Sequence, residues 1–366
     1  MSAFDPCWFT QCEDAIPQLL RRLKVGEQPG RYLPCQRGGT EVGREMSLAW
    51  SCFALKTLHV VRRWELLDRE TREGWVEFIQ DFQTPNEEGA FEDPPEMTHL
   101  RRSPGLVATL LGWVGRGPWR PEPRSILLAE TKQAIATLAE VGAKPERPFR
   151  GFPLTPNAVL EWLRQLDWTK PWGAGGQSAG LVVFVVTQAP LFLPEPDATA
   201  LKETCRAFFT ELADPETGAY FMGGRPEQGQ LVNGAMKVLM SLDWLDLPIH
   251  YPERLIATTL AAPPKSDGCH LVDAVYVLHR ALAGRGAEAK VREFCTGVFA
   301  DLQSHAQDDG GFSFYPRKAQ TNYYGVPVSK GLDEPDLQGT CLLTWAAAMI
   351  WQLVDPERAR WRVLKP

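Results

Sequence analysis

One phrase recurs along this chain and limits what it can become. An amphipathic stretch ends in a polar turn carrying a glycine and an aromatic ring, and a second, more apolar stretch follows. The phrase occupies residues 75–91, 207–220 and 299–312, with Gly89, Gly218 and Gly310 at the turns and Phe91, Tyr220 and Phe312 after them. Such a glycine can take a positive φ at the end of a helix, which lets the following aromatic fold back on the turn. Self-similarity of this kind signals a repeat architecture, in which each unit buries its apolar face only by stacking on its neighbours.

The second stretches of the repeat are apolar over most of a helical circumference. Leu231, Ala235, Val238, Leu242 and Leu245 form one stripe, widened by Val232, Met236 and Leu239. Leu271, Val275, Leu278 and Leu282 repeat the spacing, as do Leu337, Cys341, Trp345, Ala348 and Met349. A helix patterned this way is buried on both sides. The first stretches, such as 201–212 and 288–302, alternate charge with a narrow apolar stripe and read as an outer layer.

Pairing outer with inner predicts an all-α chain of about six helix hairpins arranged as an α/α toroid, one domain over residues 1–366. The outer members start near Cys12, Arg72, Pro156, Thr199, Pro252 and Glu288; the inner members start near Glu41, Ala129, Gln177, Leu231, His270 and Leu337. Pro145, Pro156, Pro248, Pro252 and Pro263-Pro264 fall in the connections, where a missing N–H does least harm. The β-branched run 181–186 suits a strand equally well; the helices around it in the repeat favour a helix. Two connections are long, 91–125, with a short helix expected at 104–113, and 312–337, rich in aromatic, glycine and proline residues.

The net charge of −6 argues against a nucleic-acid binder, which needs a basic face for phosphates. The N-terminus lacks a basic region followed by an apolar run, and no segment approaches the roughly 20 apolar residues of a membrane span. A cytoplasmic chain without a transmembrane segment is the expectation, with peripheral membrane contact allowed. The eight cysteines show no paired spacing and read as reduced core residues.

The turn Asp308-Asp-Gly-Gly-Phe312, followed by a loop and an apolar helix, resembles the repeats of squalene-hopene cyclases, class II diterpene cyclases and protein prenyltransferase β-subunits, from about Trp75 to Trp351. The resemblance implies an α/α barrel whose inner helices enclose the active cavity. The same architecture hosts glycoside hydrolases, polysaccharide lyases and lanthipeptide cyclases, so the fold leaves the function open.

Three kinds of chemistry can sit at the mouths of the inner helices. Class II terpene cyclases use an Asp-X-Asp-Asp acid; the nearest pattern here is Asp333-Glu334-Pro335-Asp336. Asp336, Glu334 and Asp309 are the acid candidates, and helix capping is the alternative for the acids before the last inner helix. Protein prenyltransferases carry Asp-X-Cys and a later histidine as zinc ligands. Asp267, Cys269 and His270 are the matching candidates, although Gly339 stands where the later histidine belongs. No cofactor is otherwise expected. A carbohydrate-active enzyme needs two carboxylates about 5–10 Å apart; Glu41, Glu45, Glu130, Asp273 and Asp309 are available. Asp273, inside an apolar helix, is either functional or paired, for instance with Arg280.

Trp172, Tyr220, Phe221, Phe312, Tyr323, Tyr324 and Trp345 are placed near the cavity, where ring faces stabilise a carbocation or stack on a sugar. The leading expectation is acid-initiated carbocation chemistry on a small apolar isoprenoid-like substrate. A hydrolase or lyase with paired carboxylates and a non-catalytic repeat scaffold are the alternatives.

Overall fold

The computed structural model describes residues 4, 6–102, 122–283 and 285–366. The short helix expected at 104–113 lies outside them. Fourteen α-helices are present among the described residues. They are α1 (Pro6–Leu23), α2 (Glu41–Glu45), α3 (Leu48–Val60), α4 (Arg69–Gln80), α5 (Pro94–Arg101), α6 (Pro123–Glu140), α7 (Pro156–Gln165), α8 (Pro171–Thr187), α9 (Glu195–Leu212), α10 (Gln228–Trp244), α11 (Pro252–Leu260), α12 (Gly268–Ala281), α13 (Ala289–Gln303) and α14 (Leu337–Val354). One small antiparallel hairpin joins β1 (Asn322–Tyr323) to β2 (Val326–Pro327).

Six helices close into a ring. α3 packs on α6, α6 on α8, α8 on α10, α10 on α12, α12 on α14, and α14 returns to α3. The amphipathic helices α1, α4, α7, α9, α11 and α13 form the outer layer. The chain is therefore an α/α toroid, and the inner helices are the ones whose apolar residues run round the axis. All of α3 is buried, and α14, long and apolar enough on composition alone to cross a membrane, is mostly buried as the closing member of the ring. The run 181–186 lies within α8 and is helical.

The repeat's turns work as their composition predicts. Gly89, Gly218 and Gly310 have φ of 68°, 73° and 89°. After each, the aromatic pairs back onto the end of the preceding helix: Phe91 with Gln83, Tyr220 with Ala213, Phe312 with Ala306. At Gly218 a Cβ would also lie 2.5 Å from the Leu255 nitrogen, so only glycine fits between the turn and α11.

The inner helices all start at one end of the ring. The Trp172 N–H at the start of α8 donates to Gln230 at the start of α10. The Gly268 N–H at the start of α12 donates to the Phe314 carbonyl, and the Phe314 N–H donates to Asp336, the cap of α14. The Ser47 and Leu48 N–H groups at the start of α3 donate to Asp93, just before α5. At the opposite end the stretch 361–366 crosses the helix termini. The Arg362 N–H donates to the Val60 carbonyl, the Lys365 N–H to Glu140, and the Trp244 indole to the Pro366 carbonyl at 2.6 Å. Trp361 and Leu364 are buried beneath it. One end is thus covered by chain, and the helix N-termini frame the other.

Candidate functional site

Charged and amide side chains project from the inner helices toward the ring axis. Lys56 of α3 donates to Gln133 of α6 at 3.2 Å. Lys237 of α10 pairs with Asp273 of α12 at 3.4 Å. Lys132 of α6 stands beside them, its basicity pushed well down by burial and by the charges of Lys56 and Lys237. α6 and α10 are separated in the ring by α8, so charges on them meet across the axis. Lys132, Gln133, Lys237, Cys269 and His270 all keep part of their surface accessible. The axis at this level is therefore hollow enough to admit water.

Two acid centres lie on opposite walls, because α6 and α12 stand three places apart in a six-membered ring. On one wall Glu130 accepts a 2.5 Å hydrogen bond from the Tyr323 hydroxyl through Oε1, while its Oε2 has no partner among the described residues. Burial raises its pKa to about 8, with the Tyr323 bond and Lys56 working the other way. Glu96 of α5 belongs to the same cluster. It is fully buried with both oxygens unpartnered among the described residues, and burial and then the neighbouring Glu130 push its pKa well up. Asp93 is raised too, by burial, against its bonds from Ser47 and Leu48.

On the other wall Asp273 is fully buried, with Oδ1 toward Lys237 and Oδ2 unpartnered among the described residues. Burial lifts its pKa to about 6 against the attraction of Lys237. One turn nearer the mouth, His270 Nδ1 lies 2.8 Å from Asp267 Oδ2, and the His270 ring meets the Trp172 ring edge-on at 5.1 Å. Burial disfavours the Asp267 anion, but its bonds to His270 and to the Cys269 N–H outweigh this and hold the carboxyl below its usual range.

Tyr324 bridges the two walls. Glu130 and Glu96 on one side and Cys269 on the other all act on its hydroxyl, which burial and these neighbours raise. The residue as a whole is 39% exposed although its hydroxyl is buried, and its φ is 44°. Tyr324-Gly325 forms the two-residue connection of the hairpin, with both residues at positive φ. That geometry suits Asn-Gly, and a bulky ring there is strained.

The residues singled out from the sequence divide accordingly. Asp273, Tyr323, Tyr324, Trp172, Asp267, Cys269 and His270 gather at the mouth and axis. Asp336 is a cap: its carboxylate accepts from the Gly339, Phe314 and Gln320 N–H groups. Glu334 accepts from the Arg37 and Gly38 N–H groups and pairs with Arg37 at 3.5 Å. Asp309 is exposed in the turn after α13, its carbonyl bonded to Arg22. These three acids, the first choice for an alkene-protonating group, are thus placed in structural roles or on the surface. Phe312 packs on Trp8 of the outer layer, and Tyr220 bonds to His250 beside α11. Trp345 is buried against Tyr276 at 5.4 Å, its indole N–H unpartnered among the described residues. Asp273 pairs with Lys237, whereas Arg280 pairs with Asp243 at 2.9 Å.

Around the zinc candidates Asp267, Cys269 and His270, no group of three His, Cys, Asp or Glu side chains among the described residues is disposed to hold a metal ion. Asp267 is engaged by His270 and the backbone, and burial keeps the Cys269 thiol protonated, with a pKa of about 12. Lys56, Lys132, Lys237 and Glu96 were not singled out. Lys56 interrupts the otherwise apolar run 52–58, and that lone cation was the available signal.

No protein-family model matches the chain, and no curated protein sequence matches it. Among solved structures it is similar to the GH76A α-1,6-mannanase of Salegentibacter sp. HEL1_6, at 10% identity and a TM-score of 0.46, covering 93% of this chain and 99% of that one. It is also similar to the Candida albicans protein geranylgeranyltransferase-I, at 10% identity and a TM-score of 0.47, covering 97% and 96%. A polysaccharide lyase is similar at 10% identity and a TM-score of 0.43, covering 97% and 99%.

Proposed function

We propose that this protein is a carbohydrate-active enzyme, a hydrolase or lyase that works at the end of its inner ring framed by the helix N-termini. One observation carries the reading: two carboxyl groups on opposite inner helices have environments that set them to opposite tasks. Glu130, with a pKa of about 8, keeps its proton at neutral pH. Asp273, at about 6, has lost it. Pairs of acids pushed apart in this way divide into a general acid and a general base.

In this scheme Glu130 gives its proton to the departing glycosidic oxygen as the C–O bond breaks. Asp273 takes a proton from the attacking water in a hydrolase, or from a ring carbon in a lyase. Trp172, partly open beside His270, offers a face for a sugar ring. Tyr324 spans the gap between the walls and must shift for a ligand to reach Glu130, whose carboxyl is buried beneath the hairpin. The isoprenoid reading calls for an apolar, ring-lined hollow, and lysines and amides along the axis do not favour it.

The test is a screen of the purified full chain against neutral and acidic oligosaccharides, read by new reducing ends and by ultraviolet absorbance of unsaturated products, with isoprenyl diphosphates in parallel. Cleavage of a glycan that is lost in Asp273→Asn supports the proposal. Turnover of an isoprenyl diphosphate with no glycan cleaved overturns it.

A further inference from the structure

The three axial lysines are more than the acid pair requires. Lys56, Lys132 and Lys237 come from three different inner helices, and Lys132 feels the charge of both others, so the three lie near one another at the axis. Asp273 is the acid within ion-pair distance of any of them among the described residues, and it serves Lys237. Lys56 is answered by an amide oxygen. Lys132 has no polar partner among the described residues. Glu140, the acid that partly offsets Lys132, is committed to His59 at 3.5 Å and to the Lys365 backbone at the covered end. Glu130 is protonated at neutral pH and offsets little. Cations gathered this closely in a low-dielectric hollow repel one another and lose hydration, a cost that an arriving anion removes.

We propose that Lys56, Lys132 and Lys237 form a seat for an anionic group of the ligand. On the carbohydrate reading above, on which this choice of ligand rests, the group is the carboxylate of an acidic sugar. Lys132 is the determining residue, since it is both unpaired and partly accessible. The same seat suits a diphosphate, and the experiment separates the two sources.

Binding to the full chain is measured by titration calorimetry with a uronic-acid oligosaccharide, with the neutral hexose oligosaccharide of the same length and linkage, and with inorganic pyrophosphate. A charge-assisted contact predicts about tenfold or more preference for the acidic oligosaccharide over the neutral one. Lys132→Met loses the preference, and Lys132→Arg keeps it. Equal affinity of the wild type for acidic and neutral oligosaccharides, with no binding of pyrophosphate, overturns the seat and needs no variant to fold. Cleavage of neutral glycans alone would do so while leaving the carbohydrate reading intact. Lys132-dependent binding of pyrophosphate with no glycan bound would keep the seat and reject the carbohydrate reading.

Discussion

Lys237 Nζ lies 3.4 Å from Asp273 Oδ1, and the pair bridges two neighbouring helices of the inner ring. Asp273 is fully buried and its other oxygen has no partner among the described residues. Taking away the cation leaves a carboxylate that must either stay charged in apolar surroundings or take up a proton. Lys237→Met is expected to destabilise the fold by about 3–5 kcal/mol at neutral pH, read by urea denaturation. The loss should shrink at lower pH, where Asp273 is neutral. A variant as stable as the wild type at both pH values would show that the pair does not hold the ring.

Glu130 makes stability depend on pH in a direction that can be worked out. Its folded pKa is about 8 against an ordinary 4.5. The folded state binds this proton more tightly than the unfolded state does. The stabilisation is therefore complete below about pH 4.5 and is lost as pH rises through about 8. Glu96 moves the same way. Between about pH 5 and pH 8 the protein should lose on the order of 3 kcal/mol from Glu130. Glu130→Gln, which copies the protonated shape, should flatten that slope and be the more stable protein at the alkaline end. Denaturation midpoints across the range check it, and parallel slopes for the two proteins would count against it.

Tyr324 carries backbone strain at a position where function would explain it. Tyr324→Asn suits the left-handed turn and is expected to raise stability by about 0.5–1 kcal/mol. It should also lower turnover of the glycan substrate, because the hydroxyl between the two walls is gone. Thermal melts and initial rates on the same preparations test both halves. A variant that is more stable and fully active would remove Tyr324 from the site.

Asp336 holds the last inner helix to the loop above it. Asp336→Ala orphans two buried backbone N–H groups and a third that is partly buried, and a loss of about 3 kcal/mol is expected. An unchanged denaturation midpoint would mean that water or another group replaces the carboxylate.

Much of the ring was legible from the sequence. Apolar stripes and proline-marked connections placed α11 at Pro252 and α14 at Leu337, and the glycine turns were visible as glycine turns. The inner helices' first turns were harder to see. α8 begins at Pro171, but Gly173, Gly175 and Gly176 read as a loop, and burial of the helix between its neighbours overrides their poor propensity. The first inner helix was placed at Glu41, where a separate short helix lies; Thr40 caps it, and α3 begins after a break at Met46-Ser47. The site was less legible because its residues look like surface residues in one dimension. Lys132 reads as an ordinary helix charge until ring closure turns it inward, and Glu130 was one of five candidate carboxylates that only the closed ring sorts. Asp336 looked catalytic because acids before a helix serve equally well as caps, and only the three N–H groups around it decide between the roles.

The most direct test of the acid and base assignment is the pH–rate profile of kcat/KM on the glycan that the screen identifies. It predicts a bell, rising through about pH 6 as Asp273 ionises and falling through about pH 8 as Glu130 loses its proton. Glu130→Gln should remove the alkaline limb and Asp273→Asn the acid limb, each with a drop of about 100-fold or more in rate. A profile whose two limbs persist unchanged in both variants would contradict the account.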